Sequence, residues 1–388
     1  MITAARLRQY RQALNAIIKH GQDALEKEIV NLEATGASDE VIRDYFVQRN
    51  QEITESYGNA AAVQANALYE EVRADAGYSD VFTTSLPPSF PRRDVAALQS
   101  VKSAMLYAYR DEDYDKVIRQ LQRALDRAAM RSTAASITFN GSRDRHKVKF
   151  ARVPGSSESC AFCIMLASRG FEYWSAESAG ANDHWHAHCE CLVVPGFDGI
   201  TVIEGYDKDA LYDAWRDAQR TVGAPFSGKA SYGSAVTREL ERRDPAWIRT
   251  GKVPKITYEG EKLRANIIKN YPHQIRTAER LAQHGYQYYF QTDEFHSGGK
   301  TIGLADGFIS GKGWEIKTLQ SASKESTIDS HLRNAAEKVG MDVTVIDGAE
   351  AVNLSDNRIE EIIKRRMGAR GVSEVLQILK DGSLRIIK

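Results

Sequence analysis

Residues 305–317 read Ala-Asp-Gly-Phe-Ile-Ser-Gly-Lys-Gly-Trp-Glu-Ile-Lys and combine a turn with charged side chains on either side of it. Residues two apart on a β-strand share a face, so Glu315 and Lys317 are expected to point in the same direction. A hairpin that turns at 310–311 would bring Asp306 to the same side. The stretch therefore predicts two antiparallel strands that gather two carboxylates and one amine.

These charged side chains form a set that suits phosphodiester hydrolysis. Two carboxylates on neighbouring strands can hold one Mg²⁺, which polarises the phosphodiester and activates water, while a lysine stabilises developing negative charge. We therefore predict Asp306 and Glu315 as Mg²⁺ ligands and Lys317 as a catalytic residue. Glu279, on the helix expected before these strands, is a further acid candidate. The alternative is a salt-bridged surface hairpin without catalytic activity.

The elements predicted around this stretch define a C-terminal α/β domain over 258–388. Apolar periodicity and turn residues predict, in order, a helix, a strand, a hairpin, a helix and a strand, followed by one more helix and a final hairpin. The order α-β-β-β-α-β is that of the restriction-endonuclease-like, or PD-(D/E)XK-like, fold. The predicted ranges are 261–284, 286–291, 302–309 with 313–319, 327–339, 343–346, 357–367, and 375–379 with 384–387.

The rest of the chain divides into three predicted segments. Residues 1–135 are expected to be mainly α-helical, because apolar residues recur at spacings of three and four over 7–32, 38–72 and 101–128, with a break near 111–114. Residues 136–215 are expected to form a small α+β module. Residues 216–257, whose Gly-, Ser- and Pro-rich part begins at Gly223, are expected to be a linker. The fold class is thus multidomain.

All four cysteines of the chain, Cys160, Cys163, Cys189 and Cys191, lie in the predicted module. Cys160 and Cys163 form a CxxC knuckle, and the histidines at 184, 186 and 188 follow it. Without a general base nearby other than Glu190, a closed structural Zn²⁺ site is favoured over a catalytic one. The alternative is a set of reduced cysteines packed in a small core without metal.

Several motifs of the first 215 residues together resemble the minor head proteins of tailed phages. This group includes the Mu F and SPP1-like head morphogenesis proteins, and the similarity is greatest to their actinophage branch. The resemblance implies a virion protein of the head interior or portal region, with portal and head proteins as partners. Several such proteins carry C-terminal enzymatic or toxin extensions. The motifs are Arg152-Val-Pro, Cys160-x-x-Cys163, Leu166-Ala-Ser-Arg-Gly170, His186-x-x-Cys189-x-Cys191 and Val194-Pro-Gly-Phe197.

The histidine and cysteine motif departs from this group at two positions. Where many relatives have a proline and an arginine, this chain has Ala187 and Glu190. The choice between the last two cysteines is therefore open. The predicted Zn²⁺ ligands are Cys160, Cys163, His186 and Cys191, with Cys189 as the substitute for Cys191.

A second resemblance covers about 258–388 and links this segment to the C-terminal nuclease domains of contact-dependent growth inhibition toxins. It implies a nuclease that cleaves tRNA, an immunity protein as a partner, and action in the host cytoplasm. Some polymorphic toxins of this kind cleave DNA instead. The motifs are Glu279-x-Leu281-Ala-x-x-Gly285-Tyr286, Ala305-Asp306-Gly, Trp314-Glu-Ile-Lys317, Thr327-Ile-x-x-x-Leu332-Arg333-x-Ala335, 343–347 and Lys380-Asp-Gly-x-Leu384.

Related toxins with the barnase-EndoU-colicin-RelE fold provide an alternative for this domain. They work without metal, and in this version Lys317, Thr327, His331 and Arg333 would attack RNA through its 2′-hydroxyl. A helix presents residues two apart at roughly 200° to each other, which makes it difficult for His331 and Arg333 to face one phosphate. Thr327 remains a candidate catalytic residue.

Composition limits the classes of function. The chain has 388 residues, of which 42% are hydrophobic and 27% charged, as is ordinary for globular domains. Lys and Arg together number 52, as do Asp and Glu, so the whole chain has no charge excess that would coat nucleic acid. No apolar run is long enough to span a membrane, and the N-terminus lacks the form of a signal peptide, so a cytoplasmic protein is expected.

A basic helix end in the C-terminal domain suggests a phosphate clamp. The clamp would consist of Lys364, Arg365, Arg366 and Arg370. Cations near the end of a helix have the alternative role of complementing the helix dipole. Two functions are thus weighed for the chain. The first is a head protein that carries a nuclease toxin, and the second is a purely structural head or portal-binding protein with an inactive C-terminal domain.

Overall fold

The computed structural model describes the backbone of residues 1–90, 93–111, 113–155, 161–173, 191–197, 199, 201–223, 229–297 and 300–388. These residues form two compact units, Met1–Lys208 and Asp209–Lys388. In the part of the chain so described, no helix is both long and apolar enough to cross a bilayer.

The first unit begins with long amphipathic helices, as predicted. They are α1 (Ala4–Ala34), α2 (Asp39–Asp75), α3 (Arg93–Asp111) and α4 (Tyr114–Arg143). The side chains of Thr3, Ser38 and Asp113 cap α1, α2 and α4 by accepting hydrogen bonds from backbone N–H groups in the first turn. The predicted break near 111–114 is confirmed, since α3 ends at Asp111 and α4 starts at Tyr114.

The predicted boundary between residues 135 and 136 lies inside helix α4. Polar side chains after this point are satisfied within the helix, as when the Thr138 hydroxyl donates to the Ala134 carbonyl oxygen at 2.9 Å. The strands β1 (Val148–Val153) and β2 (Leu192–Phe197) pair antiparallel, and the helix α5 (Ala161–Ala167) lies between them in sequence. Their apolar residues share one core with α1, α2 and α4. The helical segment and the predicted module are therefore one unit.

The second unit starts before the expected nuclease domain. It includes α6 (Lys208–Val222), α7 (Lys229–Leu240) and α8 (Pro245–Thr250). Arg243 is almost fully buried, and its guanidinium binds Asp217 at 2.7 Å and Glu239 at 2.9 Å. The described residues of 216–257 are thus packed elements, which corrects the predicted linker. Buried ion pairs leave no trace in apolar periodicity, so the sequence pattern did not indicate this packing.

A mixed seven-stranded sheet forms the centre of the second unit, over its described residues, in the order β11-β10-β9-β8-β7-β4-β3. Strands β8, β9 and β10 run parallel to one another. Strand β7 runs antiparallel to both of its neighbours, β4 and β8. The strands are β3 (Thr257–Tyr258), β4 (Tyr289–Phe290), β7 (Gly307–Ile309), β8 (Lys312–Thr318), β9 (Met341–Asp347), β10 (Val375–Ile378) and β11 (Leu384–Ile387), and a separate hairpin consists of β5 (Glu294–Ser297) and β6 (Lys300–Gly303).

Helices cover this sheet at the predicted places in the chain. They are α9 (Glu261–Asn270), α10 (Pro272–Gln283), α11 (Glu325–Ala336) and α12 (Asp356–Arg370). The single helix predicted over 261–284 is divided at Tyr271, because Pro272 cannot continue the hydrogen-bond pattern of α9. The elements α10, β4, β7, β8, α11 and β9 follow the predicted order α-β-β-β-α-β, with the β5–β6 hairpin inserted between β4 and β7.

Candidate active site

The turn between β7 and β8 brings the predicted acids and lysine together. Ser310 and Gly311 adopt positive φ angles of 49° and 75°, which a tight hairpin turn requires. The Lys317 Nζ lies 2.5 Å from Glu315 Oε1. The Asp306 backbone N–H donates to Glu315 Oε2 at 3.1 Å. Asp306, Glu315 and Lys317 therefore form one cluster at the start of β7 and the middle of β8.

This cluster is buried, and burial determines its electrostatics. Glu315 has no exposed surface and Asp306 is 6% exposed. Burial, followed by the charge of Glu315, raises the pKa of Asp306 to about 7. Burial disfavours the charged form of Lys317, but Asp306 and Glu315 outweigh it and raise the pKa of the amine. Lys317 is consequently a cation at neutral pH.

The carboxylates of the cluster fit a divalent cation. The Oδ2 atom of Asp306 accepts the Ile316 N–H at 3.0 Å. When both are ionised, Asp306 and Glu315 place two negative charges in a buried site against the single charge of Lys317, so a further cation would favour the ionised form of Asp306. Mg²⁺ commonly uses one or two carboxylates and takes its other ligands from water and substrate phosphates. Asp306 and Glu315 match this donor set.

A second lysine, Lys338, borders the cluster and escaped the sequence analysis. Its Nζ lies 3.7 Å from Asp293 Oδ2, and its chain crosses Gly303, where an added Cβ would lie 3.0 Å from the lysine Cδ. Burial and Glu315 raise the pKa of Asp306, and the charge of Lys338 is among those that oppose this rise. The Val339 N–H, which donates to the Gly303 carbonyl oxygen at 2.9 Å, fixes this arrangement. The contacts of Lys338 with Asp293 and Gly303 join residues far apart in sequence, so no local motif predicts them.

His331 on α11 is also part of the surroundings of Lys317. Burial, then the charge of Lys317 and that of His273, lowers the pKa of His331 to about 4. The imidazole is therefore neutral at pH 7. His331 was predicted only for the metal-independent alternative, and His273 was not predicted at all.

Two further predicted site residues, Thr327 and Glu279, have their described positions on helices α11 and α10. The Thr327 hydroxyl accepts the Lys324 N–H at 3.1 Å and so closes the first turn of α11. Glu279 is exposed on α10, whereas Thr277 on the same helix binds Asp347 at 2.6 Å. Residues two apart on a helix point roughly 200° from each other, so α10 does not bring Glu279 to the cluster.

The predicted phosphate clamp on α12 is engaged with acids. Arg370 binds Asp329 at 2.6 Å, Lys364 binds Glu360 at 2.7 Å, and Arg365 binds Glu325 at 3.3 Å. Arg366 lies 3.7 Å from Asp329. The pairs with Asp329 and Glu325 join α12 to α11, and the pair with Glu360 lies within α12. The basic residues therefore have a structural role.

Two predicted Zn²⁺ ligands lie among the described residues. Cys163 on α5 and Cys191 just before β2 are both buried, as thiolate ligands of a closed site would be. Cys160, His186 and Cys189 lie outside the described residues. The Zn²⁺ site therefore stays a prediction.

Comparison with known proteins identifies the family of the first unit. Residues 1–218, more than half of the chain, match the family model described as VG15 protein. The chain belongs to the VG15 protein family. The Gene 15 protein of Mycobacterium phage D29 is 38% identical over a match that covers 21% of this chain and 40% of the relative. The Gene 15 protein of Mycobacterium phage L5 is 36% identical, with 13% and 29% covered.

These relatives confirm the predicted phage origin of the VG15 chain. The chain spans less than half the length of either curated relative. No solved structure matches it.

Proposed function

We propose that this VG15 protein is a head morphogenesis protein of the Mu F type that carries a nuclease toxin in its second unit. Phage family membership supports the first part. The gathering of Asp306, just before β7, with Glu315 and Lys317 on β8 supports the second. The element order around them agrees with a PD-(D/E)XK-like enzyme. The virion partners would be portal and head proteins, and a head-interior or portal location follows.

The residues of the cluster divide the work of phosphodiester hydrolysis. Asp306 and Glu315 would hold Mg²⁺, whose chemistry when bound is to polarise the phosphodiester and to lower the pKa of a water molecule. Lys317 supplies a fixed positive charge for the negative charge that develops on the phosphate oxygens. Lys338 lies at the rim, where it can bind a neighbouring phosphate of the same strand. Neutral His331 adds no further positive charge near Lys317.

The substrate of this nuclease is proposed to be RNA, with tRNA first and DNA as the alternative. The resemblance to growth-inhibition toxins, which also implies an immunity protein, supports this choice. Counting residues 255–388 gives 20 Lys and Arg against 18 Asp and Glu, a net charge of 20 − 18 = +2. A small excess suits a compact substrate site better than a long non-specific groove.

A structural Zn²⁺ in the first unit is the second metal that we propose. Buried Cys163 and Cys191 would be two of its ligands, and Cys160 and His186 complete the predicted set, with Cys189 as substitute. A closed tetrahedral site of this kind contributes folding energy rather than catalysis.

The test of the nuclease uses the full-length protein with total tRNA and with plasmid DNA, each with Mg²⁺ and with EDTA. We expect cleavage that EDTA and Lys317→Ala abolish and that Lys312→Ala leaves intact. Lys312 is a matched control because it is an exposed lysine on the same strand. Cleavage that persists in EDTA would favour the metal-independent fold. No cleavage of either substrate would favour a purely structural protein, in which the Glu315–Lys317 pair only stabilises the hairpin.

A further inference from the structure

The hairpin β5–β6 is a direct continuation of the sheet strands β4 and β7. In the sheet, Phe290 pairs with Gly307, and in the hairpin, Glu294 pairs with Gly303. The two pairs are four positions apart on either strand, so the register passes from sheet to hairpin without a bulge. A single antiparallel ribbon therefore extends beyond the sheet, and we call its outer part, 294–297 with 300–303, the ribbon tip.

The register determines which side chains share a face with the acid of the cluster. Ile302 pairs with Phe295, and Leu304 donates its N–H to the Asp293 carbonyl oxygen at 2.7 Å. Alternate residues of a strand project on one face, so Phe295, Ile302 and Asp293 lie on the face that carries Asp306. At about 3.4 Å per residue, Ile302 lies roughly 14 Å along the ribbon from Asp306.

This face changes from charged to apolar along its length. Beside the cluster it carries Asp293, with Lys338 3.7 Å away. At the ribbon tip it carries Phe295 and Ile302, which are 55% and 39% exposed. An exposed aromatic ring beside an aliphatic side chain is a flat apolar platform. Lys338 packs beside the ribbon at Gly303, and its Nζ reaches Asp293, so a positive charge is available to a polyanionic strand close to the platform.

We propose that Phe295 stacks an unpaired base of the substrate a few nucleotides from the cleaved phosphate. The proposal rests on the proposed nuclease function and defines its substrate class as single-stranded or looped nucleic acid. Each base has a flat π face that can stack on a phenyl ring, whatever the sequence. In a duplex, these faces are covered by neighbouring base pairs. The platform therefore selects for strands whose bases are free.

The cleavage test compares full-length wild type, Phe295→Ala and Phe295→Trp on a single-stranded oligonucleotide and on the same sequence in a duplex, as RNA and as DNA. Stacking of one base contributes roughly 1–3 kcal/mol, so Phe295→Ala should raise the KM for the single strand about 5- to 150-fold. The kcat should change little, and Phe295→Trp should stay near wild type. Tyr212→Ala, which removes another exposed aromatic side chain of the second unit, is the matched control.

A binding measurement separates this proposal from the nuclease itself. Oligonucleotides that carry 2-aminopurine are titrated with Lys317→Ala protein, with and without Phe295→Ala, so that no cleavage is needed. Loss of binding and of the fluorescence change with Phe295→Ala alone supports stacking, even if the wild type proves to cleave nothing. Equal binding by both proteins overturns the proposal, whether or not cleavage occurs. An equal loss on single strand and duplex, or with Tyr212→Ala, overturns it as well.

Discussion

Lys317 has a structural role as the partner of Glu315 and a proposed catalytic role, and the two predict different consequences of its removal. As the cation nearest the acids, it should stabilise the transition state by about 3–4 kcal/mol, so Lys317→Ala should lower kcat/KM at least 100-fold. As the partner of fully buried Glu315, it also compensates a charge in the core. Removal of one partner from a buried pair costs about 3–5 kcal/mol, so the variant should also unfold at a lower temperature.

A double variant separates these two roles of Lys317. Glu315→Gln with Lys317→Met removes both charges, and it should recover much of the thermal stability without any recovery of cleavage. Circular dichroism melts and initial cleavage rates on the same preparations provide the comparison. If a stable Lys317→Ala protein kept full cleavage activity, Lys317 would not be a catalytic residue and the catalytic residues would lie elsewhere.

The lowered pKa of Glu350 predicts how the stability of the second unit depends on pH. Its carboxylate lies 2.8 Å from Arg276 Nε and 2.9 Å from Arg280 Nη2, and these hydrogen bonds lower its pKa to about 2. A lowered pKa means that the carboxylate stabilises the fold above its ordinary pKa of 4.5. This contribution is lost as the pH falls from about 4.5 to about 2.

The measurement for Glu350 is the difference in melting temperature between wild type and Glu350→Gln. We expect the variant to be less stable at pH 6 and the difference to shrink towards pH 2. Glu337→Gln reports the effect of removing one negative charge from the surface of the same unit. A difference that stays constant between pH 6 and pH 2 would contradict the assignment.

The sequence predicted the acid cluster because its geometry is local. Strand alternation and a short turn suffice to bring Asp306, Glu315 and Lys317 together. The position of Glu279 could not be derived in this way, because the rotation of α10 is set by the packing of Thr277 against Asp347, on a strand remote in sequence. Lys338 was missed for the same reason.

Among the elements, those with strong apolar periodicity were predicted with nearly their observed bounds, as for α1, α2 and α12. The predicted strands 286–291 and 302–309 leave out β5 and the start of β6, because the exposed residues there give no alternation between a core face and a polar face. Residues 216–257 are predicted to be a linker because the contacts that pack their described part are charge pairs, which apolar periodicity does not reveal. Periodicity thus finds elements that bury apolar faces and misses those held by polar contacts.

Arg243 provides the test of this charge-paired packing. The side chain is almost fully buried and is bound by Asp217, Glu239 and Thr221. Arg243→Ala would leave buried carboxylates without their partner and should lower the free energy of unfolding of the second unit by roughly 3–5 kcal/mol. Arg220→Ala, whose side chain is 68% exposed, should cost less than about 1 kcal/mol. Chemical denaturation of both variants checks the difference, and equal small effects would restore the linker interpretation.

Metal content is the first test at the scale of the whole molecule. Full-length protein purified under reducing conditions should contain about one zinc per chain, because the predicted ligands satisfy a tetrahedral preference. Cys163→Ser should lose the metal and lower the melting temperature, since a structural zinc contributes folding energy. Elemental analysis decides the matter. Wild-type protein that is free of zinc and as stable as the zinc-treated sample would favour cysteines packed without metal.

The division of the chain predicts which fragments fold. The C-terminal domain is predicted from the sequence to start at residue 258, whereas the second unit starts at Asp209. The His284 Nδ1–H donates to Asp217 Oδ1 at 2.9 Å, and the Tyr286 hydroxyl donates to Glu239. A fragment that begins at 258 lacks both acids. It would also expose apolar surface of Tyr286, whose ring is otherwise fully buried.

Fragment 209–388 should therefore unfold in one cooperative transition, whereas 258–388 should be aggregated or melt at a much lower temperature. Expression of 209–388 in bacteria should stop growth if the nuclease is active, and the same fragment with Lys317→Ala should not. The shorter fragment should be harmless because it folds poorly, which soluble yield and circular dichroism report independently of growth. A stable and toxic 258–388 fragment would show that α6, α7 and α8 are dispensable and would return the boundary to the position that periodicity predicts.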